Sequence, residues 1–284
     1  MNIHTVMVIG AGQMGTGIAQ VHAQAGYHVI WYDMEKKQLE KGMERIERNV
    51  ERQREKNRLS EGEGKEMIKR IHSTSHLRRA GEADLIVEAV TENKDVKKRI
   101  FHEVDPLAPP HAILASNTSS LSITELASVT NRPAQVIGMH FMNPVPVMKL
   151  VEIIRGLSTA EETAETGRAV CESLGKTAIE VNDYPGFVSN RVLMPMINEA
   201  VYAVYEGVAS PEAVDNVMTL GMNHPLGPLA LADLIGLDTC LFIMETLHDG
   251  FGDDKYRPCP LLRNYVKAGW LGKKTGRGFY FYSS

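Results

Sequence analysis

A histidine and a glutamate are the residues best suited to acid–base chemistry in this sequence. His140 ends an apolar run and precedes a proline-containing loop, and Glu152 lies within the next apolar run, residues 150–154. A buried carboxylate needs a hydrogen-bonding partner, so we expect Glu152 to reach a ring nitrogen of His140. Such an oriented imidazole can take a proton from a hydroxyl group near neutral pH. A purely structural histidine is the alternative.

Other polar side chains follow predicted strands, where open α/β sheets bind their ligands. They are Glu92, Asn117 with Ser119, and Asn143. The asparagines and the serine could instead make turns or cap the next helix. Asn190 shares a helical stripe with apolar residues, so it is either a helix-start cap or a donor to a substrate oxygen. Its spacing alone does not decide between these two roles.

A glycine-rich turn near the start of the chain predicts a dinucleotide site. The apolar residues 5–9 run into Gly-x-Gly-x-x-Gly, and a helix-like segment follows. This order is typical of a turn that binds a pyrophosphate at a helix N-terminus. The next apolar run ends at Asp33, whose carboxylate can accept from ribose hydroxyls and would repel a 2′-phosphate. We therefore expect NAD as the cofactor, although Lys36 and Lys37 could tolerate the extra phosphate. The predicted contacts in this turn are Gly10, Gly12, Gln13, Met14 and Gly15.

The elements that must position these residues alternate between strands and helices up to about residue 183. A polar helical hairpin, residues 34–70, interrupts this alternation, with a break predicted at residues 60–64 and a second helix at 65–70. Beyond residue 183 the pattern is helical, with one helix predicted over residues 228–247. The sequence thus predicts a Rossmann-type doubly wound α/β domain, residues 1–183, followed by an all-helical domain, residues 184–284.

The hairpin carries many basic residues, for which two interpretations stand. They could form a solvated surface with ion pairs one helical turn apart. Alternatively, some of them could hold a ligand that carries phosphate groups. The candidates are Arg45, Arg48, Arg52, Arg54 and Lys56.

Composition excludes several classes of function. The 284 residues carry a net charge of −4, which gives no basic field for nucleic acid or anionic membranes. The three cysteines lack the spacing of metal ligands and indicate reduced thiols. The first apolar run is the predicted strand rather than a signal peptide, and polar residues interrupt the longest apolar region. We therefore expect a cytoplasmic protein with no metal, nucleic-acid or membrane partner.

Three stretches resemble the short-chain 3-hydroxyacyl-CoA dehydrogenase family, most closely its bacterial 3-hydroxybutyryl-CoA members. They are ASNTSSL at 115–121, HFMNPVPVMKLVE at 140–152 and DYPGFVSNR at 183–191. The last of these is similar to the family signature. The resemblance extends over essentially the whole chain.

The resemblance implies reversible oxidation of (S)-3-hydroxyacyl-CoA to 3-oxoacyl-CoA by NAD, as in fatty acid and butanoate metabolism. His140 would be the base, Glu152 its partner, and Ser119 and Asn190 would hold the 3-oxygen. Lys56 matches a lysine that contacts coenzyme A, and Asn49 stands where relatives can carry a serine. Family members are typically dimeric through the helical domain, which implies a homodimer. The cofactor contacts predicted outside the glycine-rich turn and Asp33 are Glu92, Lys97, Asn117, Ser119, Asn143 and Lys274.

Two other functions remain compatible with the sequence. One is a dehydrogenase of the same fold that acts on a substrate without CoA, such as a sugar acid. The other is an NAD-binding structural protein. The basic hairpin argues against the first, and the set Ser119, His140, Glu152 and Asn190 argues against the second.

Overall fold

A computed structural model describes residues 2–282, and the chain divides into two compact units between Asp183 and Tyr184. The described part of the first unit contains an eight-stranded sheet. Its strands are β1 (Thr5–Ile9), β2 (His28–Tyr32), β3 (Ile71–Thr74), β4 (Leu85–Glu88), β5 (Ile113–Ser116), β6 (Val136–Phe141), β7 (Leu150–Arg155) and β8 (Thr177–Asn182). Their order across the sheet is β3-β2-β1-β4-β5-β6-β7-β8. All neighbouring strands are parallel except β6 and β7.

Helices cover this sheet because its central strands are apolar on both faces, as parallel strands usually are. Met7 and Val8, which are adjacent in β1 and therefore project from opposite faces, are both fully buried, and Trp31 packs in the core on the Val8 face. The helices of the first unit are α1 (Gln13–Gln24), α2 (Lys36–Glu55), α3 (Glu61–Lys69), α4 (Lys94–Val104), α5 (Ile123–Ala127) and α6 (Glu161–Ser173). Short 3₁₀ turns span Leu77–Glu82 and Pro133–Gln135.

The second unit is helical and has its own apolar core. Its helices are α7 (Ser189–Tyr205), α8 (Pro211–Asn216), α9 (Pro228–Ile235), α10 (Leu237–Phe251) and α11 (Pro260–Lys267). A π-helical turn spans Val217–Gly221, and 3₁₀ turns span Asp254–Tyr256 and Lys273–Thr275. The predicted fold class, a doubly wound α/β sheet followed by helices, is confirmed.

Three local predictions were wrong for identifiable reasons. The predicted break at residues 60–64 is the start of α3, because the Ser60 side chain accepts from the Glu63 amide and the Glu63 side chain accepts from the Ser60 amide. The apolar pattern predicts no strand at residues 71–74, where β3 lies, because the two central residues of β3 are exposed and it lacks an apolar run. The helix predicted over 228–247 is two helices, which meet at Gly236 with φ of +105°.

No helix among the described residues is long and apolar enough to cross a membrane. Cys171, Cys240 and Cys259 are all buried and unpaired in the described chain. Burial raises the pKa of the Cys171 and Cys240 thiols to about 12. These thiols are therefore packing residues rather than nucleophiles.

Candidate active site

His140 and Glu152 lie opposite each other on the antiparallel strands β6 and β7. Side chains that are directly opposite in such a pair project from the same face, which explains why the two meet. The His140 Nδ1 atom lies 2.8 Å from Glu152 Oε2, and both residues are buried. The predicted contact is confirmed. An ionised carboxylate only accepts hydrogen bonds, so a neutral His140 ring that donates to Glu152 has its proton on Nδ1 and its lone pair on Nε2, which is the tautomer that a general base needs.

The glycine-rich turn connects β1 to the N-terminus of α1. At Gly10, φ is +110° and an added Cβ would lie 2.6 Å from the Ala89 carbonyl oxygen. An added Cβ at Gly15 would overlap the Gly10 carbonyl, whereas one at Gly12 would meet no described atom within 4 Å. Packing therefore requires glycine at Gly10 and Gly15, while Gly12 leaves open space. Gln13 and Met14 supply first-turn amides with no partner inside the helix, so the turn fits a bound pyrophosphate.

Asp33 follows β2 and is fixed beside this turn. Its Oδ2 accepts from the Ala11 amide at 2.7 Å, and its Oδ1 accepts from the Glu35 amide at 2.8 Å. Each carboxylate oxygen can accept a second hydrogen bond, so both remain able to bind ribose hydroxyls. Lys36 and Lys37 are exposed at the start of α2. The turn and Asp33 together fit the adenosine and pyrophosphate parts of NAD.

Three predicted cofactor residues, Glu92, Lys97 and Ser119, form one cluster. Glu92 Oε1 accepts from the Ser119 amide at 2.9 Å and from the Ser119 hydroxyl at 3.2 Å. The Lys97 ammonium lies 3.2 Å from Glu92 Oε2. Burial alone would raise the pKa of the Glu92 carboxyl, but Lys97 and the hydrogen bonds from Thr118 and Ser119 hold it below its usual value. Glu92 therefore holds the Ser119 loop as a carboxylate.

Two further members of this cluster were not singled out in the sequence. Glu88 accepts from the Lys97 ammonium and from the Ser116 hydroxyl, both at 2.7 Å. Glu88 can be recognised from the sequence, because it is a charged residue within an apolar run, as Glu152 is. Ser116 gave no such signal, because a serine at a strand end is common in turns.

Two asparagines tie neighbouring segments of the site together. Asn117 Oδ1 accepts from the Phe141 amide at 2.9 Å, which links the end of β5 to β6. Asn143 Oδ1 accepts from Gln13 Nε2 at 2.9 Å, which links the loop after β6 to the glycine-rich turn. These contacts place both residues in the same region as His140, and their roles toward a cofactor stay predictions.

The remaining predicted residues lie farther along the chain or on the hairpin. On α2, Asn49 donates to Gln20 Oε1 at 3.0 Å, and Lys56 is exposed just after the helix. In the second unit, Asn190 is buried in the first turn of α7. Lys274 forms an ion pair with Asp238, with its Nζ 2.5 and 2.7 Å from the two carboxylate oxygens. The predicted functions of these four residues stay predictions.

Comparisons with known proteins agree with this geometry. Residues 5–184 match the model for the NAD-binding domain of 3-hydroxyacyl-CoA dehydrogenase, and residues 186–282 match the model for its C-terminal domain. The chain is 64% identical to a probable 3-hydroxybutyryl-CoA dehydrogenase of Bacillus subtilis, covering 99% of this chain and 98% of that protein. It is 52% identical to a 3-hydroxybutyryl-CoA dehydrogenase of Bradyrhizobium diazoefficiens, covering 99% and 96%.

A solved structure gives the same result. The crystal structure of (S)-3-hydroxybutyryl-CoA dehydrogenase from Ralstonia eutropha superposes with a TM-score of 0.97 at 49% identity, and all of both chains is covered. Family models match both units, and the similar relatives extend over almost the whole chain. The chain belongs to the 3-hydroxyacyl-CoA dehydrogenase family.

Proposed function

We propose that this protein catalyses the reversible oxidation of short-chain (S)-3-hydroxyacyl-CoA, with (S)-3-hydroxybutyryl-CoA as substrate, to the 3-oxoacyl-CoA with NAD. The observation that carries the proposal is the buried His140–Glu152 pair at the carboxyl edge of a sheet whose first turn fits a dinucleotide. The names of the similar relatives support the choice of substrate.

Each residue of the site has its own role in the proposed reaction. NAD, when bound, supplies the acceptor for the hydride that leaves C3 of the substrate. His140 Nε2 takes the hydroxyl proton, while Glu152 accepts from Nδ1 and keeps the ring in the required tautomer. Ser119 donates to the 3-oxygen, a role that the family resemblance also implies for Asn190. A positioned general base of this kind contributes about 10²–10⁴-fold to the rate.

The proposal is tested by following NADH oxidation with acetoacetyl-CoA and with free acetoacetate in parallel. We expect turnover with the CoA ester and little with the free acid. Turnover of the free acid alone would assign the protein to dehydrogenases that act on hydroxy acids without CoA. Absence of turnover with both, in a protein that binds NADH, would favour a structural role.

We further propose that Asp33 sets the preference for NADH over NADPH. In Asp33→Asn the repulsion of a 2′-phosphate is lost and an acceptor for the ribose hydroxyls is weakened. The ratio of kcat/KM for NADH to that for NADPH should then fall by about tenfold or more, since each 1.4 kcal/mol is tenfold. Steady-state kinetics with both cofactors measures this ratio. Glu35→Gln is the matched control. An equal fall of the ratio in that variant would mean that the effect comes from the loss of a negative charge in this region and not from a contact between Asp33 and the cofactor.

Lys56 is proposed to bind the nucleotide part of coenzyme A. Lys56→Ala should raise KM for acetoacetyl-CoA by up to about fivefold, the effect of losing one exposed charged contact, and leave KM for a truncated thioester unchanged. The control is Lys65→Ala, since Lys65 is an exposed lysine of the same hairpin that pairs with Glu61. Equal effects of Lys56→Ala on both thioesters would remove Lys56 from the CoA site.

We also propose a cytoplasmic homodimer that acts in fatty acid or butanoate metabolism. Reduced, buried cysteines support a reducing compartment. Large exposed apolar side chains on the helical unit support association through that unit. They include Val192, Val208, Val217, Leu220, Met222, Leu234 and Phe242.

A further inference from the structure

The buried Glu88 carboxylate and the partly exposed Glu92 carboxylate share one ammonium group behind the Ser119 loop. The Lys97 Nζ atom lies 2.7 Å from Glu88 Oε1 and 3.2 Å from Glu92 Oε2, and Lys97 is 1% exposed. The neighbouring lysines of α4, Lys94 and Lys98, both contact Glu125 instead. The cluster of Glu88, Lys97 and Glu92 therefore has a formal charge of −1.

The hydrogen bonds of this cluster suit ionised carboxylates. Besides Lys97, Glu88 accepts from the Val90 amide at 2.8 Å and from the Ser116 hydroxyl at 2.7 Å. Glu92 Oε1 accepts from the Thr118 hydroxyl at 2.5 Å in addition to its contacts with Ser119. These N–H and O–H donors, all directed at the carboxylate oxygens, are the partners that ionised carboxylates accept.

The order of the strands places this negative charge near the nicotinamide half of the proposed cofactor site. Asp33 follows β2 and the glycine-rich turn follows β1, so the adenosine half of a dinucleotide lies at the ends of β1 and β2. The other half extends across the ends of β4, β5 and β6. Glu88 and Ser116 are the last residues of β4 and β5 and are paired in register, and His140 lies near the end of β6. The cluster thus lies on the side expected for the nicotinamide.

We propose that the negative charge of the cluster of Glu88, Lys97 and Glu92 strengthens the binding of NAD⁺ relative to that of NADH. A neutral cluster would lack this effect. The proposal rests on the proposed NAD-dependent function. The nicotinamide ring is positively charged in NAD⁺ and neutral in NADH, so a nearby negative charge attracts the ring only in the oxidised form. Because Glu88 and Lys97 are buried, water and salt screen this charge less than a surface charge. Glu88 acts in this way without touching the substrate.

The experiment measures the dissociation constants of NAD⁺ and NADH for the wild type and for Glu88→Gln by isothermal titration. In Glu88→Gln the cluster becomes neutral, so the ratio Kd(NAD⁺)/Kd(NADH) should rise by about tenfold, the size expected for one shielded unit charge. For a two-electron couple this equals about 30 mV in the midpoint potential of the bound cofactor. An unchanged ratio in a folded Glu88→Gln protein would overturn the proposal.

Two control variants separate charge from structure. Glu125→Gln removes a carboxylate that pairs with Lys94 and Lys98 of the same helix but does not contact Lys97 and is more exposed, so the ratio should not change. Ser116→Ala removes a hydrogen bond to Glu88 without changing the charge, so it should alter both dissociation constants alike. A rise in the ratio as large as that of Glu88→Gln in either control would also overturn the proposal.

A second charge-removing variant covers the case in which Glu88→Gln does not fold. Glu92→Gln makes the same change of charge at a side chain that is 25% exposed, and the ratio should rise in the same direction. An unchanged ratio there would count against the charge effect. Failure of the wild type to bind either cofactor would instead contradict the proposed function, so the two failures are distinguishable.

Discussion

Replacing His140 by alanine should lower kcat by about 10²–10⁴-fold, the usual contribution of a general base, while the dissociation constant of NADH changes little. The reason is that Nε2 is the proposed proton acceptor, and Nδ1 is already engaged with Glu152 at 2.8 Å. Stopped-flow kinetics with acetoacetyl-CoA measures the chemical step, and NADH titration measures binding. Turnover near the wild-type value would show that His140 is not the base.

His140→Gln makes this test more specific. A glutamine side chain can still donate an N–H to Glu152 but cannot take a proton, so the loss of kcat should match that of His140→Ala. A much smaller loss in the glutamine variant would assign the effect of alanine to packing instead. His102→Ala, at an exposed position of α4, is the control for a histidine outside the site.

The contact between His140 and Glu152 could be predicted because it follows from local rules. A carboxylate inside an apolar strand requires a partner, and a histidine at the end of the preceding strand is a near candidate. The order of apolar runs and the glycine-rich turn likewise predicted the doubly wound sheet. These patterns depend on residues close in sequence, where periodicity carries the information.

The partner of Glu88 could not be predicted in the same way. Glu88 gives the same signal as Glu152, but its ammonium partner, Lys97, lies on a polar helix among other lysines. Only the packing of α4 against the sheet decides which lysine turns inward. Asn49 illustrates the same limit, because the sequence does not show that its amide donates to Gln20 of α1. Side-chain choices between elements depend on tertiary packing.

Glu152→Gln should lower kcat nearly as much as loss of the histidine, by about 10²–10⁴-fold. The carboxylate can only accept, which fixes the proton on Nδ1 and the lone pair on Nε2. An amide can donate to Nδ1 instead, and the ring then carries its proton on Nε2, where it cannot act as a base. Glu180→Gln on the neighbouring strand β8, at an exposed position, is the matched control and should keep near-normal kcat.

The double variant decides whether Glu152 acts through His140. If Glu152 only orients the imidazole, then Glu152→Gln added to His140→Ala should cause no further loss of kcat, because the group that it orients is already absent. Independent roles would instead give losses that multiply, which is additivity in free energy. Multiplying losses would mean that Glu152 contributes to the reaction by a route other than the histidine. Non-additive losses would establish Glu152 as a positioning residue, because the effect of its substitution would then require the imidazole of His140.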